Sequence, residues 1–329
     1  MRVLVTGAGG FLGSHVCRQL LASGHTVRGL GRNHYPLLDN LGIEQQRVDI
    51  RDSKGVADAV SGMDAVVHTA AIAGIWGPRR QYESINVTGT ANVLAACQQH
   101  GVRRLVYTSS PSVTFSADDQ CGVDETTPYA QRWLCEYPRT KAVAEQMVLQ
   151  ANSARLATCA LRPHLIWGPG DPHLLARLWA RARSGRLRRV GTGDNLIDII
   201  YVDNAAAAHV AAVERLEPGS PLAGTPVFIS QGEPVNCWDW IGQLLGLQQL
   251  ELPQRGLTFR QAWNLGWGLE CVYRLTGQRR EPPMTRFLAA QLAKSHYFSI
   301  DRARRLLDFD PSVSTADGMG RLAKWLSSG

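Results

Sequence analysis

Beginning at residue 7, a run of spaced glycines constrains this chain more than any other feature. Thr6-Gly7-Ala-Gly-Gly10-Phe-Leu-Gly13 follows a strand-like stretch, Val3–Thr6, and opens a helical one, Phe11–Ser23. Gly7 permits a tight turn, Gly10 lets the backbone approach a pyrophosphate, and Gly13 lets the helix lie close to a sheet. The helix amino end adds free N–H groups and a favourable dipole. Gly7, Gly10, Phe11, Leu12 and Gly13 therefore read as a dinucleotide cradle. A glycine pattern alone is weak, but its place between a strand and a helix makes it specific.

The rest of the first half alternates in the same way. Thr26–Leu30, Gln46–Asp49, Ala65–His68, Arg104–Ser109 and Ala157–Arg162 are strand-like; Ser53–Ser61, Ile85–His100 and Tyr137–Asn152 are helical. Such alternation implies right-handed βαβ units and an α/β, doubly wound parallel Rossmann sheet, with ligands at the carboxyl ends of its strands. Past Arg162 the regularity ends. The expected division is a dinucleotide-binding domain over 1–162 and a smaller, mainly substrate-binding lobe over 163–329, with a return to the sheet near 199–210.

Later positions extend the cofactor site. Asp49, with Ile50 beside it, ends a strand where a carboxylate can accept from an adenine amino group. His68-Thr-Ala70-Ala71 ends another strand with small residues, leaving room for a ribose. Asn86 opens a helix on the nicotinamide side. Each also has a plain reading as a strand terminator or helix cap. The second strand ends in Gly31-Arg32, where units selective for NAD usually carry Asp or Glu. A carboxylate ~5 Å from a phosphate would cost roughly 3 kcal/mol at an effective dielectric near 20. Its absence, with Arg32 following, favours NADP(H) over NAD(H). No metal is expected.

Tyr137-Pro-Arg-Thr-Lys141 is the only Tyr-x-x-x-Lys in the chain, and a spacing of four at a helix start puts both side chains on one face. A free tyrosine has a pKa of about 10; a lysine ammonium and a positive nicotinamide ring favour its ionised form. Tyr137 is thus expected to be the general acid of reduction and the base of oxidation, with Lys141 tuning it and holding the nicotinamide ribose. From the strand upstream, Ser110 is expected to donate to the substrate carbonyl oxygen, with Ser109 nearer the cofactor. The plain alternative for this Ser-Ser pair is a strand-to-loop cap.

These motifs resemble the extended short-chain dehydrogenase/reductase family over nearly the whole length. Leu161–Gly170, Ile200–Ala206 and Asp301–Pro311 resemble its later signatures, although Leu307 stands where a glycine is usual. Val106–Val113 and Tyr137-Pro-x-x-Lys141 with Ala-x-Ala-Glu145 are most similar to its 3β-hydroxysteroid dehydrogenase branch. More narrowly, Arg32–Pro36, Thr108–Val113, Leu165–Asp171 and Gly232–Pro234 resemble bacterial 2-alkyl-3-oxoalkanoate reductases of long-chain olefin synthesis. That resemblance implies NADPH-dependent reduction of a 2-alkyl-3-keto acid to the 3-hydroxy acid, alongside a thiolase-like condensing enzyme, a β-lactone synthetase and a decarboxylase. A steroid or sterol 3β-dehydrogenase would share every catalytic residue. A nucleotide-sugar epimerase or dehydratase is disfavoured by Gly31, and a non-catalytic NADP(H) sensor by the intact Tyr–Lys pair.

Composition narrows the partners. With 329 residues, 44% hydrophobic and 19% charged, the chain is an ordinary globular one, not a disordered one. The net charge of +7 suits an anionic cofactor and an anionic small substrate. No aromatics interleave with base-reading side chains, so nucleic acid is set aside. Seven scattered cysteines without a C-x-x-C pair read as buried thiols of a reducing cytoplasm, and no secretory leader is seen. The run Arg177–Arg189 reads as a helix end, a Gly185 stop and a short strand, either a solvated face or a docking surface for a protein or anionic lipid. Phe259, Trp263, Trp267 and Cys271 share a helix face at i, i+4 spacing. That face is packed on the core or another subunit, roofs a channel for long alkyl chains, or rests on a membrane surface. His164 and Arg162 follow the last Rossmann-type strand, where a cation could meet a substrate carboxylate, but the pattern does not single out which, and Arg162 also reads as purely structural. A homodimer is the expected assembly.

Overall fold

A computed structural model describes residues 1–328. Seven parallel strands form its central sheet. Five are numbered here in chain order: β1 (Arg2–Thr6), β2 (Thr26–Gly31), β3 (Glu44–Arg47), β4 (Ala65–His68) and β5 (Arg104–Thr108). Across the sheet the order is Thr225–Ile229, Ala157–Pro163, β5, β4, β1, β2, β3. The sequence reversal lies between β1 and β4, where Val3–Thr6 pair with Ala65–His68 on one side and Arg2–Thr6 with Thr26–Leu30 on the other. A doubly wound sheet opens a crevice at such a switch point. The strands are apolar because helices cover both faces: all four residues of β4 and all seven of Ala157–Pro163 are buried.

Helix α1 (Phe11–Ala22) and the helix Val202–Arg215 pack side by side on one face, sharing a core with Val3, Val5, Val106 and Leu161. Helices from the segments 53–60, 89–99 and 136–150 cover the other face, around Leu4, Val66, Leu105 and Ala160. The chain rejoins the large sheet as the strand Thr225–Ile229, parallel to Ala157–Pro163. Residues 200–201 instead pair with 166–167 in a two-stranded ladder, and the alanine-rich 202–215 is a helix whose small side chains let it lie close against α1.

A separate core of large side chains, including Trp167, Trp179, Trp238 and Trp240, holds the carboxyl-terminal elements together. A four-stranded sheet links both halves, because Gln120–Val123 pairs with His296–Phe298, which pairs with Leu196–Ile197. The aromatic helix spans Phe259–Leu275. Phe259 and Trp263 pack onto a cluster containing Phe115 and Phe287, whereas Trp267 is 57% exposed. The shared face does not persist because each i+4 step on a helix of 3.6 residues per turn drifts about 40°. Among the described residues no helix is long and apolar enough to cross a membrane.

Candidate active site

The glycine turn forms because nothing larger fits it. Gly7 has φ +70°, and a Cβ there would lie 2.9 Å from Thr69 Oγ1. At Gly13 a Cβ would sit 2.1 Å from the Gly7 carbonyl oxygen, so a side chain would push α1 off the strand. The turn is fastened by Gly10 N–H donating to the Gly7 carbonyl at 2.8 Å and Gly7 N–H to the Leu30 carbonyl at 2.7 Å. No side chain caps α1, whose N-cap is Gly10, leaving its first N–H groups for an anion. A pyrophosphate suits this cradle in shape and charge.

From the cradle a single cleft of about 700 Å³ crosses the carboxyl ends of the strands. It is lined by Gly7, Gly10, Phe11, Leu12, Gly13, Arg32, Asp49, Ile50, Ala70, Ala71, Ser109, Ser110, Tyr137 and Lys141, so these sequence candidates share one wall system. Asn86 does not line it. Its buried carboxamide accepts from Ile72 N–H at 2.9 Å and donates to the Ile72 carbonyl and to Thr140 Oγ1. Asn86 thus braces the loop after β4 against the tyrosine helix, from within a wide π-helical turn, Glu83–Thr88. A helix-opening polar residue in sequence does not reveal that its side chain points at the backbone instead of the cleft.

At the adenosine end, Gly31 faces Tyr35: a Cβ on residue 31 would lie 2.8 Å from the Tyr35 ring, and one on Gly9 would lie 2.3 Å from it. Tyr35 also lines the cleft and was not singled out by the sequence motif. Among the described residues no carboxylate lies within ion-pair distance of Arg32. Asp49 holds Arg51 at 2.7 Å, and the Arg51 hydrogen bond is the main reason its carboxyl sits below the usual range.

At the reacting end, the helix Glu136–Gln150 presents Tyr137 and Lys141 one turn apart. Lys141 is 2% exposed; its ammonium donates to the Thr108 carbonyl and lies 4.1 Å over the Tyr107 ring. Burial pushes it down to about 7, against the pull of Glu145. Burial also pushes the Tyr137 phenol up to about 12, with the Ser110 hydroxyl drawing it back. In the protein without its cofactor, desolvation is the largest influence on the phenol. Ser110 Oγ lies 2.9 Å from Ser112 Oγ, another cleft residue that the motif did not flag. Ser109 Oγ is buried beside the cleft with no hydrogen-bond partner, a hydroxyl available to a ligand.

Of the two residues that follow the last Rossmann-type strand, Arg162 is structural. Its guanidinium is bound to Glu145, both side chains are buried, and it does not line the cleft. His164 does line the cleft, but its Nε2 meets His296 Nδ1 at 2.7 Å, and His296 Nε2 meets the Gln291 carbonyl at 2.9 Å. A carbonyl only accepts, so His296 donates from Nε2 and accepts at Nδ1 from His164. Burial holds both rings neutral.

The sequence profile described as the 3-beta hydroxysteroid dehydrogenase/isomerase family matches residues 4–259. The chain is 49% identical to a 2-alkyl-3-oxoalkanoate reductase of Stenotrophomonas maltophilia (strain K279a), covering 98% of both chains. It is 45% identical to a protein of the same description from Shewanella oneidensis, over 97% of this chain and 84% of that one. A solved UDP-glucose 4-epimerase of Thermus thermophilus in complex with NAD has the same fold, at TM-score 0.75 and 24% identity over 100% of both chains. With its glycine cradle and its Ser, Tyr and Lys side chains on one cleft, the chain is an NAD(P)-dependent oxidoreductase belonging to the 3-beta hydroxysteroid dehydrogenase/isomerase family.

Proposed function

We propose that the chain uses NADPH to reduce the 3-keto group of a 2-alkyl-3-oxoalkanoate to the 3-hydroxy acid. The observation that carries this reading is the near-full-length likeness to two reductases of that description, joined to a cleft in which Ser110, Tyr137 and Lys141 converge. When bound, the dinucleotide would supply the hydride that reduces C3. Ser110 donates to the keto oxygen and fixes its position. Tyr137, a phenol that carries its proton at neutral pH, delivers it to that oxygen as negative charge develops there. An alkoxide is far more basic than a phenolate, so a phenol that holds its proton until that moment suits reduction. Lys141 holds the nicotinamide ribose, and its buried ammonium offsets the phenolate left behind.

Preference for the 2′-phosphorylated cofactor is supported by Arg32, a cleft-lining guanidinium with no carboxylate at ion-pair distance among the described residues, and by Tyr35 standing where a ribose-binding carboxylate at residue 31 would project. The same reading makes the chain a homodimer of the cytoplasm, built as a cofactor domain and a substrate lobe. It would work in long-chain olefin synthesis beside the condensing, lactone-forming and decarboxylating enzymes.

The test is a parallel assay of a long-chain 2-alkyl-3-hydroxy acid with NADP⁺, a 3β-hydroxysteroid and a UDP-sugar. The reverse direction avoids the spontaneous loss of carbon dioxide from β-keto acids. Turnover confined to the steroid would replace this proposal with a steroid dehydrogenase.

A further inference from the structure

The cleft has a charged feature that the cofactor does not use. Its titratable lining falls into three groups. Arg32, Tyr35 and Asp49 lie at the adenosine end, and Tyr137 and Lys141 at the reacting centre. The remaining groups are His164, His296, Asp171, His173 and Arg177. His164 and His296 are locked as a neutral pair, as described above. Asp171 accepts the N–H groups of His173, Leu174 and Leu175 at 2.8–3.1 Å, so its charge is met by the start of the helix Leu174–Arg183. Arg177 is therefore the one permanent cation on the substrate side among the described residues.

Its surroundings hold it as a built group. Glu281 accepts hydrogen bonds from both Arg177 and Arg181, the latter at 2.9 Å. Two guanidiniums on one carboxylate leave one positive charge uncompensated. The side chain of Arg177 is 43% exposed, so its remaining N–H groups can reach a ligand. Its position is set by the cleft itself, whose lining Arg177 shares with Ser110, Tyr137 and Lys141.

We propose that Arg177, oriented by Glu281, binds the carboxylate of the substrate and makes the chain selective for a keto acid over the corresponding ketone. This rests on the reading above, in which the substrate is a 2-alkyl-3-oxoalkanoate. The carboxylate carbon of such a molecule is two bonds from the carbon being reduced. A guanidinium that fixes it therefore also fixes which face of C3 meets Tyr137 and the nicotinamide.

The test compares kcat/KM for a 2-alkyl-3-hydroxy acid with that for the matched secondary alcohol lacking the carboxylate, both with NADP⁺. Wild type should favour the acid strongly. Hydrogen bonds to charged groups contribute about 1.5–3 kcal/mol, so Arg177→Gln should lower the acid-to-alcohol ratio about ten- to a hundredfold. Arg177→Lys should keep most of the ratio, and Glu281→Gln should raise KM for the acid more than it lowers kcat. An unchanged ratio in Arg177→Gln, with wild type favouring the acid, would overturn the role of Arg177 and leave the substrate reading intact. A wild-type ratio near one would instead sink the keto-acid substrate itself.

Discussion

Arg162 lays its guanidinium against the Glu145 carboxylate, Nε to Oε2 at 3.0 Å, with both side chains sealed from solvent. Tyr129 donates to the same carboxylate at 2.7 Å, and the Tyr129 and Phe228 rings face the guanidinium at 5.6 and 5.1 Å. The pair joins the tyrosine helix to the end of the strand Ala157–Pro163. Removing one partner leaves a buried charge alone. Glu145→Gln should destabilise the protein by about 3 kcal/mol, read as a lower denaturant midpoint at unchanged slope. An unshifted midpoint would mean the pair is not a structural tie.

Tyr137→Phe should cut turnover between about a hundredfold and ten-thousandfold, the range ascribed to a positioned proton donor. The phenol makes no hydrogen bond to the glycine cradle, so NADPH affinity, followed by fluorescence titration, should stay within about twofold. Substantial remaining turnover would show that the proton comes from elsewhere.

Arg32→Ala should weaken NADPH about tenfold or more while leaving NADH nearly unchanged, since only the former carries a phosphate for an exposed guanidinium to meet. Equal losses for both cofactors, measured as dissociation constants at fixed salt, would contradict the phosphate assignment.

Acid should weaken the fold. The Thr6 hydroxyl donates to His68 Nδ1 at 2.6 Å, His68 Nε2 donates to Thr90 Oγ1 at 3.0 Å, and Thr90 donates to the Asn86 carbonyl. Burial, helped by the Lys141 charge, pushes His68 down to about 3, and burial pushes His209 down to about 4. Both folded values lie below the unfolded 6.5, so the unfolded chain binds more protons as pH falls. The share of stability owed to these two histidines should be level above about pH 6.5 and decline below it, each contributing up to about 1.4 kcal/mol per pH unit until its folded value is reached. Unfolding midpoints measured from about pH 7 to 4 check this; a flat profile would contradict neutral burial.

How much of this was legible in the sequence depends on how local each feature is. The glycine turn and the Tyr137–Lys141 pair are fixed within one element, so spacing alone places them. The parallel, doubly wound plan follows from alternation and the handedness of crossovers. The remaining features lie beyond local spacing. Arg177, Phe287 and His296 reach the cleft from segments far from the glycine turn, and only the folded lobe brings them there. Arg162 and His164 are neighbours in the pattern, yet the buried partner Glu145 takes one of them out of the cleft and leaves the other in it. How deeply the Tyr137 phenol is desolvated also lies beyond local spacing, because it depends on everything packed around the ring.

One consequence of the strand order concerns how the molecule can be made. The strand Ala157–Pro163 is buried along its whole length, yet the neighbour that completes one side of it, Thr225–Ile229, is separated from it by the entire excursion through residues 164–224. During synthesis that greasy backbone edge stays bare until the later segment emerges. A fragment ending at Arg162 would carry the edge permanently and tend to self-associate through it, although it contains the complete glycine cradle.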